Sequence, residues 1–294
     1  MIRPIETKLR NARPRRVRVR PISGLSINKM IPNILTLLAL CAGMTAIRFA
    51  INGKFEAAVV AILIAGVLDG LDGRVARLLK ASSSFGAQLD SLSDFICFGV
   101  APGMLLYIWT MNSIGSFGWV VALLFAVCSA LRLARFNTQL GIPDPPAYAY
   151  NFFTGVPAPA AAGVAVLPLC AAFEFGPDFF RSPYLCAVTT VSVAALMVSR
   201  VPTFSGKRFR VPADYVVPLL LGAAILAAFL TTAPWSTLLV IGLGYLATIP
   251  LSIRSFNHLR KAAEALRASA PKDGAQRAEG PALRAVEPPK GAAG

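Results

Sequence analysis

Four aspartates stand close together in the chain: Asp69, Asp72, Asp90 and Asp94, within LDGLDGRVARLLKASSSFGAQLDSLSDF. The flanks are apolar, and a charge in the middle of a bilayer costs about 2.5–3.5 kcal/mol on insertion scales. Protonation would relieve such a cluster, as in a proton relay, and a divalent metal would relieve it better. All-oxygen sites favour hard ions such as Mg²⁺ or Mn²⁺. Four carboxylates are enough for two such ions, which clamp a phosphoryl group during in-line displacement.

Helical spacing gathers the residues that could do this chemistry onto two faces. One face of a predicted helix carries Asp69, Asp72, Gly73, Ala76 and Arg77. Gly86, Asp90 and Asp94 share one face of the next predicted helix, and the short link LLKASSS makes the two helices antiparallel neighbours. The glycines would leave room for a bulky ligand, and Arg77 would bind phosphate oxygens or simply balance the aspartates. The sequence therefore predicts a site between two helices, just inside the cytoplasmic boundary.

The composition indicates a membrane protein, because 55% of the 294 residues are hydrophobic and only 15% are charged. We expect an all-α, polytopic membrane helical bundle of about eight transmembrane helices. The predicted spans are roughly 31–52, 56–79, 86–109, 117–138, 155–173, 184–200, 213–231 and 235–253. The net charge of +15 lies mostly outside these spans, which favours anionic lipid headgroups or an anionic substrate and argues against nucleic acid.

The basic residues predict the orientation of the bundle. If the N-terminus is cytoplasmic, all of the 29 Lys and Arg residues except Arg48, Lys54 and Arg181 fall on the cytoplasmic side. The positive-inside rule therefore predicts that both termini are cytoplasmic, an N-in/C-in arrangement. We expect a basic cytoplasmic tail over 1–30, a membrane domain over 31–254 and a largely disordered cytoplasmic tail over 255–294.

The spacing of the aspartates resembles a known signature. Written out, D-x2-D-G-x2-A-R-x8-G-x3-D-x3-D runs from Asp69 to Asp94 and resembles the signature of the CDP-alcohol phosphatidyltransferases at every fixed position. The resemblance implies transfer of a phosphatidyl group from a CDP-linked lipid to an alcohol, with release of CMP. It implies that Asp69, Asp72 and Asp90 bind metal. Asp94 would be the catalytic base, and a contact of Asp94 with a second metal also stays open.

The same resemblance implies a CDP-binding site. Gly73, Ala76, Arg77 and Gly86 would line it. IPNILTLLAL, which opens the first span, resembles the P-N-x-x-T that borders the nucleotide in this family, so Asn33 and Thr36 join the CDP-binding residues. The alternative is that these two residues only begin a helix, where Pro32 suits the first turn.

The acceptor has to be inferred from other segments. ALRLARFN, FTGVPAPAAA and LMVSRVPTFSGKRF, together with DSLSDFICFGVAP, resemble the membrane-embedded phosphatidylserine synthases of bacteria and archaea, over about residues 28–210. This implies CDP-diacylglycerol and L-serine as substrates, a bacterial inner-membrane location with the site facing the cytoplasm, and a homodimer. A serine carboxylate needs cationic partners, and the predicted serine-binding residues are Arg132, Arg135, Asn137, Ser205 and Lys207. A positive-inside role is the alternative for each basic residue.

Other functions stay open. Choline, glycerol phosphate or an inositol derivative could be the acceptor; choline would favour an aromatic cage, for which Tyr148, Tyr150 and Phe153 are candidates. A cation or proton transporter would also use intramembrane carboxylates. A transporter predicts ionisable residues at several depths on several helices, whereas the acidic residues here gather on one side.

Overall fold

The computed structural model describes residues 27–139, 152–204 and 215–269, and in these residues the chain is helical apart from two short strands. The helices are α1 (Ile27–Ile51), α2 (Phe55–Leu78), α3 (Ser84–Asp94), α4 (Ala101–Trp109), α5 (Ser116–Gln139), α6 (Ala158–Ala165), α7 (Leu167–Phe175), α8 (Pro177–Phe180), α9 (Pro183–Val198), α10 (Val216–Thr232) and α11 (Pro234–Ser269). A π-helical turn over Phe95–Val100 joins α3 to α4. The strands are β1 (Phe152–Thr154) and β2 (Pro202–Phe204).

Five helical stretches among the described residues are long and apolar enough to cross a membrane, which confirms an all-helical membrane protein. They are Met30–Ile51, Ser84–Trp109, Ser116–Thr138, Ala158–Phe175 and Pro234–Leu259. The other three predicted spans coincide with α2, which carries charged residues, and with α9 and α10, which have only 16 and 17 residues. The count of eight stays a prediction. Residues of α10 face outward, as lipid contact requires: none is buried, and Val217 is 73% exposed.

Small residues let α1 pack closely against its neighbours. Ala46 and Ala50 of α1 and Ala58 and Ala65 of α2 are completely buried, as is usual where membrane helices approach closely. A Cβ on Gly43 of α1 would lie 2.7 Å from Cys97 Sγ. Helix α1 thus packs against both α2 and α3.

The link between α2 and α3 turns the chain sharply back. Lys80 adopts a left-handed backbone conformation with φ 49°. The Ser83 hydroxyl oxygen accepts a hydrogen bond from Gly86 N at 3.0 Å and so caps the start of α3. The chain then crosses the bundle as one stretch, in which the π-helical turn follows directly after Asp94. Glycine at position 99 of this turn allows close packing on α5, since a Cβ there would lie 2.9 Å from Ser129 Oγ.

A short antiparallel pair of strands ties the chain after α5 to the chain after α9. Phe153 of β1 pairs with Thr203 of β2, and Gly155 N donates to Val201 O at 2.8 Å. Helix α11 packs against both α7 and β2. It continues to Ser269, so residues 255–269 of the predicted C-terminal tail are helical. The rest of that tail, 270–294, and residues 1–26 of the N-terminal tail lie outside the described residues.

Candidate active site

The carboxylates of α2 and α3 meet between these two helices. One carboxylate oxygen from each of Asp69, Asp72 and Asp90 lies within 4.8 Å of the others. Asp72 is buried, and Asp69 and Asp90 are half-buried. Two turns of antiparallel helices thus bring residues from positions 69 to 90 into one acidic group, as the helical spacing predicts.

Asp94 lies beside this group rather than within it. Its carboxyl group is next to that of Asp69, but Asp94 does not belong to the three-carboxylate group. Its Oδ1 is buried and has no hydrogen-bond partner among the described residues. Buried carboxylate oxygens are normally hydrogen-bonded, so an unpartnered one beside an acidic group is available to take a proton or to contact a ligand.

The donor set fits a hard divalent cation. Three carboxylates would repel one another strongly in a half-buried setting, and a cation among them reverses the sign of that interaction. The Thr36 hydroxyl supports this arrangement, because it contacts Asp72 Oδ2 at 2.5 Å and Pro32 O at 3.1 Å. Such a contact fixes the orientation of a ligand carboxylate. Asp69, Asp72 and Asp90 can therefore hold a metal ion.

A cavity of about 480 Å³ opens directly beside the carboxylates, a volume typical of small-molecule sites. All six predicted CDP-binding residues line it, together with Asp72 and Asp90: Asn33, Thr36, Gly73, Ala76, Arg77 and Gly86.

The two glycines of this wall act differently. A Cβ on Gly73 would meet no atom within 4 Å, so this residue leaves open space at the cavity. A Cβ on Gly86 would lie 2.9 Å from Asn33 Oδ1 and 3.1 Å from Ser83 Oγ. Gly86 therefore allows α1 and α3 to approach each other at the cavity wall.

The predicted serine-binding residues lie at the end of α5 near the site or outside the described residues. Arg132 is half-buried, its guanidinium carbon lies 5.6 Å from the ring centroid of Phe136, and its charge acts on Asp94. Arg135 Nη1 donates to Val198 O at 2.9 Å and Ser199 O at 3.3 Å, so part of this guanidinium caps the end of α9. Asn137 Nδ2 donates to Ser91 Oγ at 3.0 Å. Ser205 and Lys207 lie outside the described residues.

Sequence reasoning missed polar residues on β2 and α11. Tyr245 of α11 lies beside Thr203 of β2, and it interacts electrostatically with Arg132. Ser252, seven residues further along α11, is completely buried. A sequence feature could have revealed the two residues of α11. The spacing of Gly242, Tyr245, Ile249 and Ser252 places all four on one face of the helix.

Comparison with known proteins agrees with the geometry. The profile of the family described as CDP-alcohol phosphatidyltransferase matches residues 29–201, and that of CDP-alcohol phosphatidyltransferase 2 matches residues 214–250. The first match spans more than half of the chain and contains all four aspartates. The chain belongs to the CDP-alcohol phosphatidyltransferase family. The five apolar helices and this membership together indicate a membrane-embedded enzyme.

Several relatives within the CDP-alcohol phosphatidyltransferase family have curated names. A CDP-diacylglycerol–serine O-phosphatidyltransferase of Mycobacterium tuberculosis is 42% identical over 227 residues, which cover 77% of this chain and 79% of the relative. A protein of the same name from Mycobacterium leprae is 41% identical over 237 residues, 80% of this chain and 79% of the relative. The archaetidylserine synthase of Methanothermobacter thermautotrophicus is 34% identical over 176 residues, 58% of this chain and 68% of the relative.

Proposed function

We propose that this protein transfers the phosphatidyl group of CDP-diacylglycerol to the hydroxyl of L-serine, giving phosphatidylserine and CMP. The observation that carries the proposal is the three-carboxylate group, of which Asp72 and Asp90 line a cavity with the volume of a small-molecule site, with the buried, unpartnered Oδ1 of Asp94 beside that group. Serine as the acceptor is supported by the names of the relatives, several of which are serine O-phosphatidyltransferases.

The cavity is the proposed site for the CDP part of the lipid. Asn33 and Thr36 border the nucleotide, Ala76 and Gly86 form part of the wall, and Gly73 leaves room for the ligand. Arg77 is exposed on the same wall, where its planar guanidinium can bind phosphate oxygens in pairs.

The proposed reaction is an in-line displacement. Asp94 accepts the proton of the serine hydroxyl, and the oxygen attacks the phosphorus atom that carries the diacylglycerol. A phosphorus–oxygen bond forms to serine, the bond to the bridging oxygen of the diphosphate breaks, and CMP leaves with that oxygen and its electron pair. Mg²⁺ or Mn²⁺ held by Asp69, Asp72 and Asp90, with two ions per site as the proposed number, would supply positive charge for the phosphate oxygens.

The proposed serine site lies beside Asp94, near Arg132 of α5. Arg132 is the leading candidate because its charge faces Asp94 and it is half-buried. Arg135 is a weaker candidate, since one of its terminal nitrogens is used at the end of α9. Asn137, Ser205 and Lys207 stay proposals.

The wider setting is also a proposal. We place the protein in a bacterial inner membrane as a homodimer, with eight spans, both termini cytoplasmic and the site facing the cytoplasm. The domain arrangement we propose is a membrane domain over 31–254 between cytoplasmic tails. The basic residues, of which all but three fall on the cytoplasmic side in this orientation, are the support.

The competing functions have less support. In the described residues, Asp72 is the one charged residue that is buried, and the acidic residues near it form a single group, whereas a transporter predicts ionisable groups at several depths. Among alternative acceptors, choline would favour an aromatic cage; of its candidate residues, Phe153 lies on β1, and Tyr148 and Tyr150 lie outside the described residues, so choline too is distinguished only by assay. Glycerol phosphate and inositol derivatives are distinguished only by assay.

The deciding experiment measures CMP release from CDP-diacylglycerol by the purified protein. We expect release that requires serine and either Mg²⁺ or Mn²⁺, and that stops when a chelator is added. Parallel assays replace serine by choline, glycerol phosphate or inositol phosphate. Turnover in the presence of chelator would contradict the metal assignment, and faster turnover with another alcohol would contradict serine.

A further inference from the structure

Four buried side-chain oxygens have no hydrogen-bond partner in the part of the chain that the structure describes: Asp94 Oδ1, Ser129 Oγ, Tyr245 OH and Ser252 Oγ. Leaving a buried polar atom unpaired is costly, so each such atom points to a bound water or ligand. Asp94 already has a role in the proposed reaction. Ser129 packs against Gly99 within the bundle. Tyr245 and Ser252, on α11, have no role so far.

Tyr245 lies on the inward face of α11, between Gly242 and the buried Ile249. One turn before it, Gly242 packs against the side chain of Leu167, where a Cβ would lie 2.5 Å from Leu167 Cδ2. At Tyr245 itself the neighbour is Thr203 of β2, whose hydroxyl donates to Gly155 O at 2.9 Å. The phenol hydroxyl of Tyr245 lies beside this strand pair, makes no hydrogen bond of normal geometry within the described residues, and so has a hydrogen to donate.

Arg132 connects this hydroxyl to the catalytic region. Its positive charge acts on both Asp94 and Tyr245, and the ring of Phe136 lies 5.6 Å from its guanidinium carbon. A guanidinium has five N–H donors and no acceptor. Arg132 and Tyr245 thus bring a guanidinium and a phenol, both able to donate hydrogen bonds, close enough to interact with each other, and Arg132 also interacts with Asp94.

We infer that Tyr245 and Arg132 together bind the carboxylate of the acceptor amino acid, which makes Tyr245 a specificity-determining residue of this enzyme. The inference rests on the proposed function. Two donors suit an anion, and the carboxylate of serine is separated from its hydroxyl by only a short covalent path. A carboxylate held by Arg132 and Tyr245 would therefore leave the serine hydroxyl within reach of Asp94.

A phosphate of the CDP-linked lipid is the other anion that would suit these donors. The two sources differ in the kinetic constant that they control. If the pair binds serine, its loss raises the KM for serine; if it binds the lipid phosphate, its loss raises the KM for CDP-diacylglycerol.

The test is Tyr245→Phe, which keeps the ring and removes only the hydroxyl. We expect the KM for serine to rise about 10- to 100-fold, the range for loss of a hydrogen bond to a charged group, while kcat and the KM for CDP-diacylglycerol stay within about twofold. Arg132→Gln should act in the same direction. Tyr107→Phe is the matched control, because Tyr107 packs edge-on against Trp119 in the other half of the bundle, and it should leave all constants unchanged.

A second readout removes the carboxylate from the substrate instead of the donor from the enzyme. Ethanolamine is serine without its carboxylate. The wild-type protein should prefer serine strongly, and Tyr245→Phe should reduce that preference about tenfold or more by weakening only the serine reaction. A variant with lost packing alone would slow both acceptors equally and would overturn the inference.

The outcomes separate the inference from the function on which it rests. If the wild-type protein shows no serine-dependent CMP release, the proposed function fails whatever Tyr245 does. If wild-type turnover depends on serine and Tyr245→Phe leaves the KM for serine and the preference over ethanolamine unchanged, only the inference is overturned. A rise confined to the KM for CDP-diacylglycerol also overturns it.

Discussion

At the residue scale, Asp94 differs from the other three aspartates in its surroundings rather than in its chemistry. Asp69, Asp72 and Asp90 share one group of oxygens, whereas Asp94 stands next to Asp69 with a buried, unpartnered Oδ1. A carboxylate that does not have to bind the metal is free to receive a proton. This division of roles can be tested one residue at a time.

Asp94→Asn should lower kcat about 10²- to 10⁴-fold, the usual contribution of a general base, while binding of CDP-diacylglycerol largely survives. Initial rates of CMP release, together with lipid binding to the purified variant, check both parts. Asp178→Asn is the matched control, since Asp178 is exposed on α8 and lies outside both the acidic group and the cavity. Full turnover by Asp94→Asn would refute the assignment of the base.

Gly86→Ala should weaken binding of the nucleotide part of the lipid. The added Cβ would lie 2.9 Å from Asn33 Oδ1, so Asn33 has to move from the cavity wall. Overpacking of this kind costs about 1–3 kcal/mol, and we expect the KM for CDP-diacylglycerol to rise about tenfold with little change in the KM for serine.

The control for this variant is Gly163→Ala in α6, where a Cβ would meet no atom within 4 Å. It should leave the KM for CDP-diacylglycerol unchanged. Equal effects of the two variants would mean that the Asn33–Gly86 contact has no role in binding.

At the element scale, Gly155 shows how the strand pair is joined to the bundle. Its φ is +81°, and a Cβ there would lie 2.5 Å from Met197 O, a backbone atom that cannot easily move aside. Gly155 N also donates to Val201 O. Glycine is therefore required at this position both for its backbone conformation and for the close approach of α9.

Gly155→Ala should lower the free energy of unfolding by more than the 1–3 kcal/mol or so expected for backbone strain alone. Gly53→Ala separates the two causes, because Gly53 has φ +72° but nothing within 4 Å of a Cβ. Thermal unfolding in detergent should give a larger decrease in Tm for Gly155→Ala. If both variants lose the same amount, the contact with Met197 O contributes nothing.

The site residues that could be predicted are those that lie close together in the sequence. Asp69 to Asp94 lie on two helices with a short link, so helical spacing alone places their side chains on facing surfaces. Tyr245 could not be found in this way, because its neighbours Thr203 and Arg132 belong to elements far away in the chain. The capping role of Arg135 could not be predicted for the same reason. The sequence does not distinguish an arginine that only follows the positive-inside rule from one that binds the end of α9.

The elements show the same limit. Five of the eight predicted spans coincide with helices that are long and apolar enough to cross a membrane. The last predicted span ends at 253, whereas α11 continues to Ser269 because its later residues are good helix formers without an apolar requirement. The π-helical turn in FICFGV leaves no trace in a continuous apolar run.

At the scale of the whole molecule, the charge pattern predicts which end of the bundle faces the cytoplasm. Lys54, between α1 and α2, and Lys80, between α2 and α3, are both exposed and lie at opposite ends of α2. The orientation that puts the active site in the cytoplasm also puts Lys80 there and Lys54 outside.

Labelling with a membrane-impermeant maleimide tests this orientation. Lys54→Cys should react in intact cells, and Lys80→Cys only after the cells are made permeable. The unsubstituted protein gives the background, in which four of its five cysteines, all except Cys41, are buried. Labelling of Lys80→Cys in intact cells would show that the predicted orientation is inverted.

The π-helical turn after Asp94 sets the rotation of α4 relative to α3 within the stretch Ser84–Trp109. A π turn contains one residue more than the α-helical turn it replaces, and in an α-helix each residue rotates the chain by about 100°. Removing one residue from Phe95–Val100 would therefore rotate α4 relative to Asp90 and Asp94. The turn therefore determines which side of α4 packs against α1 and α5 while Asp90 and Asp94 face the site.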